Sequence, residues 1–113
     1  VNYSVLEPEA EDRVLPLAMD MGIAVNINRA FLNGDYFSLV SGKELPSWAA
    51  DFDCESWAQL SLKFILSHPA VTCVITDTSN PEHAIDNIGG GFGRLPNEEE
   101  RERIAAHIRS LSA

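Results

Sequence analysis

Short apolar runs alternate with helical patterns along this chain, and that alternation limits the folds it can adopt. Apolar and β-branched residues form runs at 23–27 and 71–75, and residues 1–4 have the pattern of the end of a further strand. Segments with helical spacing follow these runs. Strands that alternate with helices build parallel β-α-β units. The predicted order is β-α-β-loop-α-β-α-α, an α/β fold with about three parallel strands and a C-terminal helix.

Three of the helical segments are predicted at 7–22, at 55–67 and from residue 97 onward. Pro16 lies inside the first segment and should kink it, because proline has no amide proton and its ring crowds the preceding turn. Residues 28–54 contain several turn-forming residues and are predicted to form a long loop.

The run at 71–75 is predicted to be a buried parallel strand, because it is rich in β-branched residues. A fourth helix follows this run, and its start can be placed in two ways. Ser79 with Glu82 fits a capping box. Asn80 can instead cap the helix, with Pro81 in the first helical position. Either start leaves the helix directly after a strand, as a parallel β-α unit requires.

Three parallel strands are few for a complete α/β domain, because they leave strand edges and apolar faces uncovered. We therefore expect residues 1–113 to be a single partial domain of a larger α/β protein. The start at Val1, in what resembles a strand already under way, fits a fragment. We expect the separate chain to self-associate or to bind a companion chain.

Charge and composition exclude several kinds of partner. The chain has eight Lys and Arg residues against seventeen Asp and Glu residues, for a formal net charge of −9. This balance repels a phosphate backbone, so no nucleic-acid partner is expected. No basic run suits a membrane surface, and no apolar run reaches the ~18 residues that span a bilayer.

Cys54 and Cys73 are too few for a disulfide framework, and their spacing to the histidines does not indicate a metal site. We predict two buried thiols in a reducing, cytoplasmic environment.

Catalytic residues cannot be assigned from the sequence, because the candidates for proton transfer have no spacing that identifies a general acid. Those candidates are Tyr3, Tyr36, Lys43 and Lys63.

Polar residues follow the run at 71–75, where a strand leads into a capped helix. Ligands bind at this end of the strands in parallel α/β folds. The free helix amides, with Thr78, Ser79 and Asn80, could hold a phosphate. The same residues could instead only cap the helix.

The run at 23–27 ends in a comparable way. Arg29 would lie at the same rim, where it could pair with a phosphate or a carboxylate, or bond loop carbonyls. Phe31 and Leu32 could cover a flat ring or fill the top of the fold.

Taken together, these segments resemble the last third of bacterial aldo-keto reductases. The resemblance includes residues 2–4, 9–25, 28–31, 66–72 and 75–87. Its most specific run is Thr78-Ser79-Asn80-Pro81-Glu82-His83 followed by Asp86-Asn87. The family folds as a (β/α)8 barrel and reduces carbonyls with NADPH. The resemblance implies that this chain is the C-terminal part of such a barrel.

The resemblance also implies cofactor-binding residues and no catalytic ones. The family's Asp, Tyr, Lys and His tetrad lies in the first half of the barrel, and no residue of this chain matches it. The loop at 28–34 would run beside the nicotinamide and the pyrophosphate. The segment at 76–80 and the helix after it would hold the adenosine half. The implied cofactor-binding residues are Asn28, Arg29, Phe31, Asn33, Asp77, Thr78, Ser79, Asn80, His83 and Asn87.

Some of these positions depart from the family pattern. Asn87 would hydrogen-bond the adenine, but His83 stands where many members have an Arg near the ribose 2′-phosphate. Asp77 stands where many members have a Lys, and its carboxylate would repel a 2′-phosphate unless a cation intervenes. Asn28 replaces a Tyr that often stacks on the nicotinamide. We predict weakened NADPH binding, or a preference for NADH.

Two functions are compatible with the resemblance. The chain can be the cofactor-binding part of an NAD(P)H-dependent oxidoreductase that transfers hydride to a small carbonyl substrate. In that case the chain alone is inactive. It can also be a non-catalytic, aldo-keto-reductase-like binding or regulatory module, an alternative that the changes at Asn28 and Asp77 keep open.

Overall fold

Short parallel strands and α-helices form the framework of the chain. The structure is a computed structural model that describes residues 1–76 and 78–112. Its strands are β1 (Asn26–Ile27) and β2 (Cys73–Val74). Its α-helices are α1 (Val14–Met21), α2 (Asp35–Val40), α3 (Trp57–Leu66), α4 (Pro81–Gly89) and α5 (Glu98–Ser110). Stretches of 3-10 helix lie at Glu9–Glu11, Leu32–Gly34 and Ser47–Phe52.

The predicted strand segments lie side by side and run parallel. β1 pairs with β2, with Ile27 opposite Val74. Asn2 forms a parallel bridge with Asn28 just beyond the end of β1. β1 is therefore central, and the order of strands and helices follows the predicted β-α-β arrangement.

β2 is more exposed than its sequence predicts. Val25 and Ile27 are buried, but Cys73 is exposed and Ile75 is 56% exposed. The prediction of a buried strand at 71–75 is wrong here, because within the described residues β2 pairs with β1 alone. β2 is thus an edge strand.

The two cysteine thiols differ in their exposure to solvent, because only Cys73 lies on the edge strand. Cys54 is buried as predicted, and burial raises its pKa to about 11, which keeps the thiol protonated at neutral pH. Cys73 lies on the edge strand, and the prediction that it is buried is wrong.

The stretch at 28–54 is largely helical rather than a long loop. Gly34 and Gly42, with φ angles of 98° and 73°, form the turns on either side of α2. Tyr36 and Val40 are buried on one face of that helix, four residues apart. This spacing indicates a helix, but the neighbouring turn formers obscure it in the sequence.

α1 begins at Val14, so Pro16 lies in its first turn. First-turn amides have no partner within a helix, and a proline therefore costs little there. The predicted kink in one longer helix is wrong, because the chain forms a separate 3-10 turn at Glu9–Glu11 instead. α1 ends at Gly22, as predicted, in a left-handed conformation with a φ of 67°.

The other helices begin close to their predicted positions. Ser56 caps α3, and Asn97 caps α5 as part of a capping box. The Asn80 side chain caps α4 by accepting a hydrogen bond from the Glu82 amide at 2.9 Å. Pro81 follows in the first turn, which selects the second of the two possible starts.

A buried arginine joins distant parts of the chain. Arg101 on α5 is 5% exposed. It donates hydrogen bonds to the Tyr3 hydroxyl at 3.0 Å, to a Glu11 carboxylate oxygen at 2.8 Å and to Ser67 Oγ at 2.7 Å. Because a buried charge is stable only when it is paired and hydrogen-bonded, these contacts hold α5 against the start of the chain and the end of α3.

Two groups of apolar side chains remain exposed, one on and after α1 and one around α4. The first group is Leu17, Met19, Met21 and Ile23, and the second, which we call the α4 face, is Ile85, Ile88 and Phe92. Contiguous apolar surfaces of this kind are usually covered by another protein surface.

Within residues 1–76 and 78–112, the helices are too short or too polar to cross a membrane.

We expect the separate chain to associate through these apolar side chains. The double variant Ile85→Lys, Ile88→Lys would bury unpaired charges in such a contact and should weaken association by roughly tenfold or more. Sedimentation velocity at several concentrations measures this. The double variant Ser110→Lys, Ser112→Lys, which adds the same two positive charges at exposed positions at and just after the end of α5, is the control. A compact monomer of the unaltered chain at all concentrations would contradict the expectation.

Candidate functional site

A cavity of about 630 Å³ opens at the carboxyl ends of β1 and β2. Three parts of the chain form it: the loop and helix after β1, the start of α3, and the turn after β2 with α4. Parallel α/β folds bind ligands at this end of their strands. The lining residues are Phe31, Phe37, Val40, Ser41, Gly42, Lys43, Ser56, Trp57, Ala58, Thr78, His83, Asp86 and Asn87.

The cavity brings together predicted residues from two distant parts of the sequence. Phe31 comes from the loop after β1, whereas Thr78, His83 and Asn87 come from the turn after β2 and from α4. Parallel pairing of the two strands places both groups at one rim. The sequence resemblance connects both groups to one ligand, and here they line one space.

Other predicted residues lie outside this lining. Asn28 bridges to Asn2 beside the sheet. The Arg29 Nε atom donates to a Glu7 carboxylate oxygen at 3.3 Å, so Arg29 pairs with a carboxylate of its own chain. Asn33 is exposed in the turn before α2, with a φ of 55°. A cofactor-binding role for these residues stays a prediction.

The turn between β2 and α4 is closed by its own side chains. Thr78 Oγ1 accepts a hydrogen bond from the Asn80 amide at 3.2 Å, and Asn80 caps α4. Asn80 therefore has the capping role that the sequence left as one alternative. Ser79 is exposed, and it is not among the described residues that line the cavity. Asp77 lies outside the described residues.

Asp86 fixes α4 against the start of α3. Its carboxylate accepts hydrogen bonds from Ser56 Oγ at 2.7 Å and from Gln59 Nε2 at 3.1 Å. Gln59 is 6% exposed, and its Oε1 accepts from the Glu55 amide at 2.8 Å. A buried amide bonded at both ends has little freedom to move. This network therefore sets the spacing between two walls of the cavity.

Aromatic rings form another part of the cavity lining. The Trp57 indole donates to the Lys43 carbonyl at 3.0 Å, and its ring stacks on His107 of α5 with an interplanar angle of 5° and a centroid distance of 5.9 Å. The rings of Phe31 and Phe37 lie 4.7 Å apart. Flat apolar rings of this kind suit the stacking of a nucleotide base.

The sequence analysis missed the lining residues of α2, of the loop after it and of the start of α3. Residues 37–43 fall in the stretch predicted as a loop. Trp57 falls within the helix predicted at 55–67, and Lys43 is predicted only as a candidate for proton transfer. The spacing of Tyr36 and Val40, after a glycine turn, is the signal that could have identified α2 and with it this wall.

Comparison with known proteins gives one structural likeness of interest. No protein-family model and no curated protein matches the chain. The chain is similar in structure to the aldo-keto reductase AKR11C1 from Bacillus halodurans in its holo form, with 22% sequence identity and a TM-score of 0.66. The match covers 97% of this chain and 40% of that chain. The chain thus has the fold of part of an aldo-keto reductase, in agreement with the resemblance seen in the sequence.

Removal of the Asp86 carboxylate should loosen the junction of α3 and α4. Asp86→Ala leaves Ser56 Oγ without its acceptor and removes one of the two acceptors of Gln59 Nε2, which still donates to the Asp86 backbone carbonyl at 3.0 Å. The variant should lower the free energy of unfolding by roughly 1–2 kcal/mol. Urea unfolding followed by circular dichroism measures this change. The control Glu82→Ala removes an exposed carboxylate from the same helix and should cost less than about 1 kcal/mol. Equal losses for the two variants would show that Asp86 has no special role.

Proposed function

We propose that this chain is the C-terminal, cofactor-binding part of an NAD(P)H-dependent aldo-keto reductase with a (β/α)8 barrel. In this proposal the cavity holds the adenosine half of the dinucleotide, and the pyrophosphate leaves the cavity beside the loop at 28–34, in line with the position that the resemblance implies for that loop. The observation that carries the proposal is the convergence of Phe31 with Thr78, His83 and Asn87 around one cavity. The structural likeness to a reductase in its holo form supports it.

The cavity suits an adenosine group in size and in chemistry. Sites for small ligands commonly measure ~300–1,000 Å³ and combine apolar walls with a few polar groups. The aromatic side offers rings for stacking, and the Asn87 amide can both donate to and accept from a purine edge. Thr78 and His83 add polar groups beside the strand ends, where a sugar and its phosphates would extend.

The proposed role of this chain is to bind and orient the cofactor. A bound nicotinamide dinucleotide would supply the hydride for carbonyl reduction. The tyrosines of the chain are committed to its structure: Tyr3 bonds to Arg101 and Glu11, and Tyr36 donates to the Trp57 carbonyl at 2.6 Å. Burial raises the pKa of both tyrosines, which makes proton release from them unfavourable.

Lys63 is equally committed. It is fully buried, and its ammonium group donates to the carbonyl oxygens of Phe92 and Arg94. A reductase tetrad would therefore have to come from residues outside this chain. Absence of such a tetrad from the complete protein would favour the non-catalytic module instead.

We predict that the 113-residue chain binds NADH without catalysing its oxidation. Asn87→Ala should weaken binding by up to about tenfold, the effect of one lost hydrogen bond. Isothermal titration calorimetry measures the affinity. Glu82→Gln, at an exposed position of the same helix outside the described cavity lining, should bind as the unaltered chain does. Undetectable NADH binding, or carbonyl-dependent consumption of NADH or NADPH by the purified chain, would overturn the proposal.

We also propose that Asp77 makes the site favour NADH over NADPH. This proposal rests on the sequence alone. A carboxylate next to Thr78 in the chain would repel a ribose 2′-phosphate, which NADPH has and NADH lacks. NADPH should bind at least about fivefold more weakly than NADH, and Asp77→Asn should narrow the difference. Parallel titrations with both dinucleotides test this. Tighter binding of NADPH by the unaltered chain would show that the prediction is wrong.

A further inference from the structure

The C-terminal helix α5 reaches the candidate site through a stacked pair of rings. No residue of α5 is among the described residues that line the cavity. His107 of α5 nevertheless stacks on Trp57, which does line the cavity, with the two ring planes 5° from parallel and the centroids 5.9 Å apart. This is the offset parallel arrangement that aromatic rings prefer. One face of the Trp57 indole is therefore partly covered by α5.

The plane of the Trp57 indole depends on this packing. The backbone of Trp57 is fixed, because its carbonyl accepts a hydrogen bond from the Tyr36 hydroxyl at 2.6 Å. The indole itself has one donor, Nε1, which donates to the Lys43 carbonyl at 3.0 Å. One hydrogen bond at the edge of a ring does not fix the plane of that ring. Contacts against the ring faces must therefore do so.

His107 is itself held in place. The Trp48 ring meets it edge to face, with an interplanar angle of 83° and centroids 5.6 Å apart. The Arg103 guanidinium lies 4.4 Å from the centre of the Trp48 ring, one helical turn before His107 on α5. α5 is anchored in turn by the Arg101 hydrogen bonds and by the fully buried side chain of Ile108. A helix that the core holds therefore presents the imidazole ring to Trp57.

We infer that His107 is a positioning residue of the proposed adenosine site, because it holds the Trp57 indole in the plane on which the base stacks. The inference rests on the proposed function, since it requires an adenosine group in this cavity. The base would stack on the part of the indole that His107 leaves uncovered, and such stacking is favourable when the two planes are nearly parallel. The C-terminal helix thus controls a wall of the cavity that it does not line.

Isothermal titration calorimetry with adenosine tests this role. His107→Ala removes the ring and should weaken adenosine binding by about fivefold, the usual range for one aromatic contact. His107→Phe keeps a flat ring and should restore most of the affinity. The control Ile108→Val trims a fully buried side chain of the same helix, so it loosens the packing of α5 without touching the stacked rings. Its affinity for adenosine should equal that of the unaltered chain.

The nuclear magnetic resonance signal of the Trp57 indole N–H gives a readout that a loss of stability alone would not change. Saturating adenosine should shift this signal in the unaltered chain and in His107→Phe, and should shift it less in His107→Ala. The chain has two tryptophans, and Trp57→Phe identifies the signal by removing it.

The outcomes separate this inference from the proposed function. If adenosine binds the unaltered chain and His107→Ala equally well, or shifts the indole signal equally in both, the role of His107 is wrong and the adenosine site stands. Equal losses of affinity in His107→Ala and Ile108→Val, or no recovery in His107→Phe, would trace the loss to α5 as a whole and would also overturn the role. If adenosine does not bind the unaltered chain, the site and the role of His107 are both wrong.

Discussion

The hydrogen bonds of Asp86 are the contacts on which the candidate site depends. They join the start of α3 to α4, and Gln59, which is almost fully buried, extends the junction to the Glu55 amide. The junction fixes the start of α3, with Trp57, relative to α4. The Asp86 carboxylate, together with the Gln59 amide that also donates to the Asp86 backbone carbonyl, therefore helps to set the width of a cavity whose walls come from three parts of the chain.

The sheet supplies the second constraint. Parallel pairing brings the carboxyl ends of β1 and β2 to one rim, and the Arg101 contacts hold α5 against α3 and the start of the chain. The adenosine site proposed here lies at that rim and uses both walls. The exposed apolar side chains of α1 and of the α4 face fit the proposal of a partial barrel. In that proposal further strands and helices of a longer reductase, of which this chain matches 40%, would pack against them.

Much of this fold could be predicted from the sequence. The apolar periods of α3 and α5, and the Asn80-Pro81 start of α4, are local signals that the tertiary structure preserves. α2 is missed, because its six residues lie among glycines and the spacing of Tyr36 and Val40 is a weak signal on its own. The exposure of Cys73 could not be recognised either, because a β-branched run indicates a strand but not whether a neighbour covers it.

Site residues could be predicted where a capped helix directly follows a strand. They could not be predicted where segments that are distant in the sequence meet. Thr78 follows from the turn after β2, and His83 and Asn87 are implied by the family resemblance, whereas Lys43 and Trp57 enter the cavity only through tertiary packing. The central claim is that adenosine binds between these two groups. Amide chemical shifts of the isotope-labelled chain during titration with adenosine 5′-monophosphate test it directly. The account predicts the largest changes at Phe31, Lys43, Trp57, Thr78 and Asn87. Changes confined to other residues, or none at all, would contradict it.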